Sequence, residues 1–175
     1  MTEAMTVSWS ALDDERSHRT ERALLFELGG AQYAMSVDFV QRVIELQDIT
    51  PVPGAQPWIA GVVVHELQPY SLIDPRFFLR PDLTDHRDEL RRAVIIKSAH
   101  GNVLLGVEQL ITISELKTRP HIDIARAEFP ARFIEYTCRS DETLIGVINV
   151  AELLQAAAES AAQASGSAVT SGQFS

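Results

Sequence analysis

The chain has 175 residues, 46% hydrophobic and 22% charged, a composition that suits a globular protein of one ordinary domain or two very small ones. Its formal charge is −9 and its pI about 5.0, so the overall field repels a phosphate backbone, and nucleic acid is not an expected partner. The absence of a ~20-residue apolar run argues against membrane insertion, the mixed-charge N-terminus is no signal peptide, and the single cysteine, Cys138, rules out an internal disulfide and fits the cytoplasm.

Residues 1–21 are polar and unpatterned and read as a disordered N-terminal segment. ALLFEL (Ala23–Leu28), Gly29-Gly30 and AQYAMSV follow as a hairpin. Ser36 stands as the cap of a helical turn reaching Val40, and QRVIEL (Gln41–Leu46) is extended. TPVPGAQPW, with three prolines in nine residues, suits neither a central strand nor a long helix. IAGVVVHE and PYSLI are strands, and Asp74-Pro75 opens one helical turn to Leu79.

A polar linker at about 80–90 precedes a second group of strands. RAVIIKS and NVLLGV flank Ala99-His100-Gly101, and ITISEL, FIEYTCR and TLIGVIN follow. Asn149 and Glu152 stand at capping-box spacing before a C-terminal helix. From about 156 the alanine-rich helix decays into a Ser/Gly tail with a disordered end. Many short strands with glycine-bearing turns, in two groups, predict an all-β domain over 22–155 made of two small barrel-like subdomains.

Catalytic readings find no support in the residues. A zincin helix needs a histidine four positions after His65; Pro69 stands there, and Val62-Val63-Val64 favours a strand. His18, His86, His100 and His121 have no short-range partner at ligand spacing. Cys138 lies in a half-buried strand pattern and reads as a small core residue. With no nucleophile elbow and no phosphate-binding loop, the expectation is a non-enzyme with no catalytic, metal or cofactor residues.

The remaining pattern is specific. Leu25-Phe26, Tyr33-Ala34-Met35, VQRVIEL, ITPVPGAQPWIAGVVV and SLIDPRFFL resemble the CheW family of chemotaxis adaptors. Ile49–Arg76 follows the family's "ITPVPGAPxFIxGVINLRGxIVPVIDLR" without a gap, with Gly54, Gly61, Asp74 and Arg76 in place as residues of structural character. LGVEQLITISEL and FIEYTCRSDETLIGVINVAELL follow the family's later stretches, so the likeness spans about 24–154. The resemblance implies two five-stranded, SH3-like barrels packed side by side. It also implies two partners: the regulatory domain of a CheA-type histidine kinase, and the cytoplasmic tip of a methyl-accepting chemoreceptor, held in a groove between the barrels.

The family's "NLRG" becomes Val64-His65-Glu66-Leu67 here, which replaces an arginine associated with receptor binding by Glu66 and a turn glycine by Leu67. Such a reversal turns a receptor surface built for arginine into a like-charge contact. The expected contacts are therefore Val43, Glu45, His65 and Glu66, in a non-standard pathway whose partner carries a base opposite Glu66. On this reading Glu66→Arg strengthens binding to a standard receptor tip. Two alternatives stay open: a modulator that binds the kinase without standard receptor binding, and a small-barrel ligand-binding module.

Overall fold

The computed structural model of the chain describes residues 19–83, 89–98, 101–118, 130, 132–140 and 142–167. The expectations for the head before Arg19, for the end of the tail and for His18, His86, His100 and His121 lie outside the described residues. In chain order the elements are β1 (Arg19–Leu28), β2 (Ala31–Ser36), β3 (Val40–Glu45), β4 (Ile59–His65), β5 (Gln68–Ile73), α1 (Arg76–Leu79), β6 (Arg92–Ser98), β7 (Gly101–Val107), β8 (Gln109–Thr118), β9 (Ile134–Ser140), β10 (Thr143–Ile148) and α2 (Val150–Ser167).

The strands form two five-stranded sheets, ordered β8-β1-β2-β10-β9 and β3-β6-β7-β5-β4. The expected pair of five-stranded subdomains is present, although among the described residues hydrogen bonding stops short of closing either sheet into a barrel. The linker near 80–90 does not separate the subdomains. It joins β5 to β6 within the second sheet, and the first sheet draws strands from both ends of the chain. The topological reason is one parallel pairing per sheet, β2 with β10 and β5 with β7, which brings strands distant in sequence side by side. β1 begins at Arg19, inside the segment expected to be disordered, because residues 19–21 pair with residues 116–118 of β8. The Glu21 carboxylate also accepts from the Tyr136 hydroxyl at 3.1 Å.

Local chemistry sets the joints. Gly29 and Gly30 link β1 to β2 with φ of 56° and 73°, the positive values of a two-residue hairpin turn. Ser36 Oγ accepts from the Asp38 amide above a 3-10 turn at Val37–Phe39. Asp74 Oδ1 accepts from the Arg76 amide at 3.0 Å and so caps α1. Asn149 Oδ1 takes the Glu152 amide at 3.0 Å, while the Glu152 carboxylate turns away to the Arg132 guanidinium at 2.8 Å, leaving half of the capping box.

β1 explains why ALLFEL is apolar on both faces. Ala23 and Leu25 point into a small core within the first sheet, together with Ala34, Leu116, Cys138, Ile145 and Val147. Leu24, Phe26 and Leu28 point the other way, into a larger core shared with the second sheet and with Leu153, Ala156 and Ala157 of α2. Across β1 and β2 the rings of Phe26 and Tyr33 stack at 6.2 Å. One continuous core thus joins the two sheets and fixes the frame on which the surface features sit.

Candidate protein-docking groove

β3 and β4 are the two edge strands of the second sheet, and their unpaired edges leave a seam. The chain between them crosses this seam. The Thr50 amide donates to the Val62 carbonyl at 2.9 Å, and the Val62 amide donates back at 2.8 Å. The crossing depends on Gly61, where an added Cβ would lie 2.5 Å from the Thr50 carbonyl oxygen. Prolines keep the rest of the crossing out of the sheet. Val52-Pro53-Gly54-Ala55 closes a β-turn by the Ala55 amide donating to the Val52 carbonyl at 3.1 Å, with Gly54 at φ 73°.

Beside this crossing lies a groove of about 490 Å³, lined by Arg42, Val43 and Glu45 of β3, Val64 and His65 of β4, and Asp48 between them. Val43, Glu45 and His65 are thus brought together, and Glu66 stands next to them on the β4–β5 turn. The groove belongs to the seam of one sheet, not to the space between the two subdomains where the family resemblance had put it. A separate cavity of about 930 Å³ lies between the first sheet and the stretch after α1, lined by residues that include Glu27, Gln32, Arg80, Asp82 and Leu144. The reason is the strand order: β3 and β4 are neighbours only across the open side of their own sheet.

The groove has an apolar floor and a charged rim. Ile44 and Val63 are buried and Val43 half-buried. At the rim Arg42 Nη1 donates to Glu66 Oε1 at 2.5 Å, with side-chain exposures of 54% and 67%. His65 Nε2 is shielded from solvent and has no hydrogen bond among the described residues; its distance of 3.7 Å to Glu66 Oε1 is too long for one. Glu45 sits 3.8 Å from Arg92 on β6. Exposed pairs of this kind are worth at most about 1 kcal/mol each, so they set charge pattern more than stability.

Sequence reasoning missed one residue here. Arg42 pairs with Glu66 from the neighbouring edge strand, so the acid at position 66 is answered within the chain. The signal was the arginine in QRVIEL, but only the seam reveals which acid it meets. The two-residue β4–β5 turn places Glu66 at φ 50° and Leu67 at φ 66°, and leaves Leu67 92% exposed. The left-handed region costs a non-glycine residue about 1–2 kcal/mol.

Asp74 and Arg76 lie elsewhere, at the junction of the two sheets. Arg76 is fully buried; its Nε and Nη2 grip Asp74 Oδ1 and Oδ2, both at 3.0 Å, and its Nη1 reaches Glu108 Oε1 at 3.1 Å and Glu89 Oε2 at 3.3 Å. Burial works against this cation, but Asp74 and Glu108 outweigh it and raise its pKa further. Glu108 Oε2 accepts from the Gly29 amide at 2.9 Å, and Arg80 Nη1 donates to the Gly29 carbonyl at 2.8 Å. The β1–β2 turn of the first sheet is therefore gripped on both sides of Gly29 by side chains outside that sheet.

The family model of the CheW-like domain matches residues 22–158, from the third position after the start of β1 into α2. The chain belongs to the CheW-like domain family. Among similar proteins is the chemotaxis protein CheW of Bacillus subtilis (strain 168), 30% identical over 107 residues that make up 57% of this chain and 67% of that protein. Among solved structures, the scaffolding protein TtCheW from Thermoanaerobacter tengcongensis superposes with a TM-score of 0.62 at 15% identity, covering 78% of this chain and 88% of that one. At that identity the superposition speaks for a shared fold, and the two-sheet arrangement is thus the CheW-like one.

Proposed function

We propose that this CheW-like chain is a non-enzymatic adaptor that couples a CheA-type histidine kinase to methyl-accepting chemoreceptors in a non-standard bacterial chemosensory pathway. It works in the cytoplasm, at arrays of membrane-associated receptors; no helix among the described residues is long and apolar enough to cross a membrane. The observation that carries this reading is the seam groove, an apolar-floored, charge-rimmed channel presented on a rigid sheet by a chain of this family. Such a channel suits helix-in-groove recognition, in which the apolar stripe of a helical hairpin meets Val43 while its polar flanks meet Arg42, Glu45 and Glu66. Individually weak contacts of this kind gain strength by repetition in an array.

The reversed charge at Glu66 supports a second reading, in which the chain binds the kinase and modulates array assembly without standard receptor binding. Co-sedimentation separates the two. Receptor tip fragments that pellet with the chain and the kinase regulatory domain favour the adaptor; a complex of chain and kinase domain alone favours the modulator. Failure to bind the kinase domain at all removes both.

A further inference from the structure

The two sheets share more than a strand count. The β1–β2 hairpin closes on the pair Leu28–Ala31, and seventy positions later the β6–β7 hairpin closes on Ser98–Gly101. β3 meets β6 with Gln41 left out of register, between the pairs Val40–Ile96 and Arg42–Ile95. β8 meets β1 with Ile111, again seventy positions on, left out between Leu110–Phe26 and Thr112–Leu25. From there the spacing is seventy-five. β4 and β5 skip Ala60 and turn after His65; β9 and β10 skip Glu135 and turn after Ser140. The parallel pairs correspond as well, Leu72–Leu104 in the second sheet and Val147–Ala34 in the first. So do the exits: the Asp74 amide donates to the Trp58 carbonyl and the Asn149 amide to the Phe133 carbonyl, both at 2.9 Å, and each residue then caps a helix.

We infer that the chain is one structural unit carried twice, over residues 22–79 and 92–154, and folded as a two-fold pair whose members exchange strands. Each sheet joins the first hairpin of one copy to the last three strands of the other: β1 and β2 with β8, β9 and β10, or β6 and β7 with β3, β4 and β5. The linker near 80–90 divides the copies, not the sheets. Neither copy completes a sheet alone, so the strand order is that of an exchanged two-subunit assembly held on one chain. The core keeps the correspondence, with Ala23 and Ala93, and Ile73 and Ile148, identical and buried at matching places. The copies part at the charged junction, where the fully buried Arg76 of the first corresponds to the exposed Ala151 of the second. Two sheets that merely shared a strand count would not repeat three skipped residues and a parallel register at constant spacing.

The test rearranges the chain. A circular permutant runs from Glu89 to Ser167, through a Gly/Ser linker of about thirty residues, and on from Arg19 to Leu83, keeping every strand and helix described. Its new connection, from α2 to β1, is the counterpart of the native one from α1 to β6. The permutant is expected to unfold in a single urea transition, with slow hydrogen exchange in both sheets. A second pair of chains replaces Gln68–Ile73 by TLIGVI, the β10 sequence in register, or by ETLIGV, the same stretch displaced by one position. The in-register graft keeps branched apolar side chains at the buried positions 72 and 73, and is expected to stay cooperative at a slightly lower urea midpoint. The displaced graft puts glycine at position 72, and its midpoint is expected to fall by at least about twice as much. A permutant with no cooperative transition overturns the two-fold arrangement. Equal midpoints for the two grafts overturn the equivalence of β5 and β10, and the inference with it.

Discussion

At the scale of single residues, the pairing of Glu66 with Arg42 changes what a substitution at position 66 does. Glu66→Arg places two guanidiniums together at the rim, so we expect a loss of about 0.5–1 kcal/mol of stability. Adding Arg42→Glu is expected to recover most of that loss, and a double-mutant cycle by urea denaturation measures the coupling. Zero coupling would remove the pair from the account. Tyr33 makes a second prediction. Burial, with Asp82 assisting and Arg80 opposing, raises its pKa from 10.0 to about 12. The folded chain therefore resists the phenolate more than the unfolded chain does. The associated stability is complete below pH 10 and lost as pH rises from 10 through 12, on the order of 2–3 kcal/mol. Urea midpoints measured at pH 9 and pH 11 should differ more in the native chain than in Tyr33→Phe. Equal differences in the two proteins would refute this.

At the scale of elements, the seam rests on one close approach. Gly61→Ala forces a methyl group against the Thr50 carbonyl oxygen, and the 46–58 crossing has to lift away from β4. The expected cost is about 1–3 kcal/mol, with faster hydrogen exchange at the Thr50 and Val62 amides and weaker binding of any groove ligand. Protection of those two amides that survives the substitution would show that the crossing is held by something else. Much of this level was legible in the sequence. The strands, the Gly29-Gly30 turn, the irregular TPVPGAQPW stretch and the Asp74 cap follow from local chemistry, and the structure has them at those positions. Partners across sheets were not legible, since no local pattern says that β3 and β4 end on the two sides of one opening. Hence Val43, Glu45 and His65 were expected beside a groove between the subdomains, whereas the structure sets them along the opening of the second sheet. Arg42 went unnoticed for the same reason.

At the scale of the molecule, the Asp74–Arg76–Glu108 cluster and the shared core hold the two sheets as one body. Arg76→Met removes the cation and leaves Asp74 and Glu108 as unpaired acids at a buried junction, with an expected loss of about 3–5 kcal/mol in urea denaturation. A loss below about 1 kcal/mol would mean that the core alone joins the sheets. The interleaved strand order has a consequence for how the chain comes to be folded. The second sheet is contiguous in sequence, from β3 to β7, and has all its strands once Val107 has been synthesised. The first sheet has to wait. Gln32 on β2 pairs with Ile145 on β10, more than a hundred positions later. Until residues 109–118 have been made the β1–β2 hairpin, apolar on both faces, has no β8 beside it, and until residues 143–148 have been made it has no β10. Assembly on the ribosome therefore runs from the middle outward, and the last strands to emerge are the ones that shield the first.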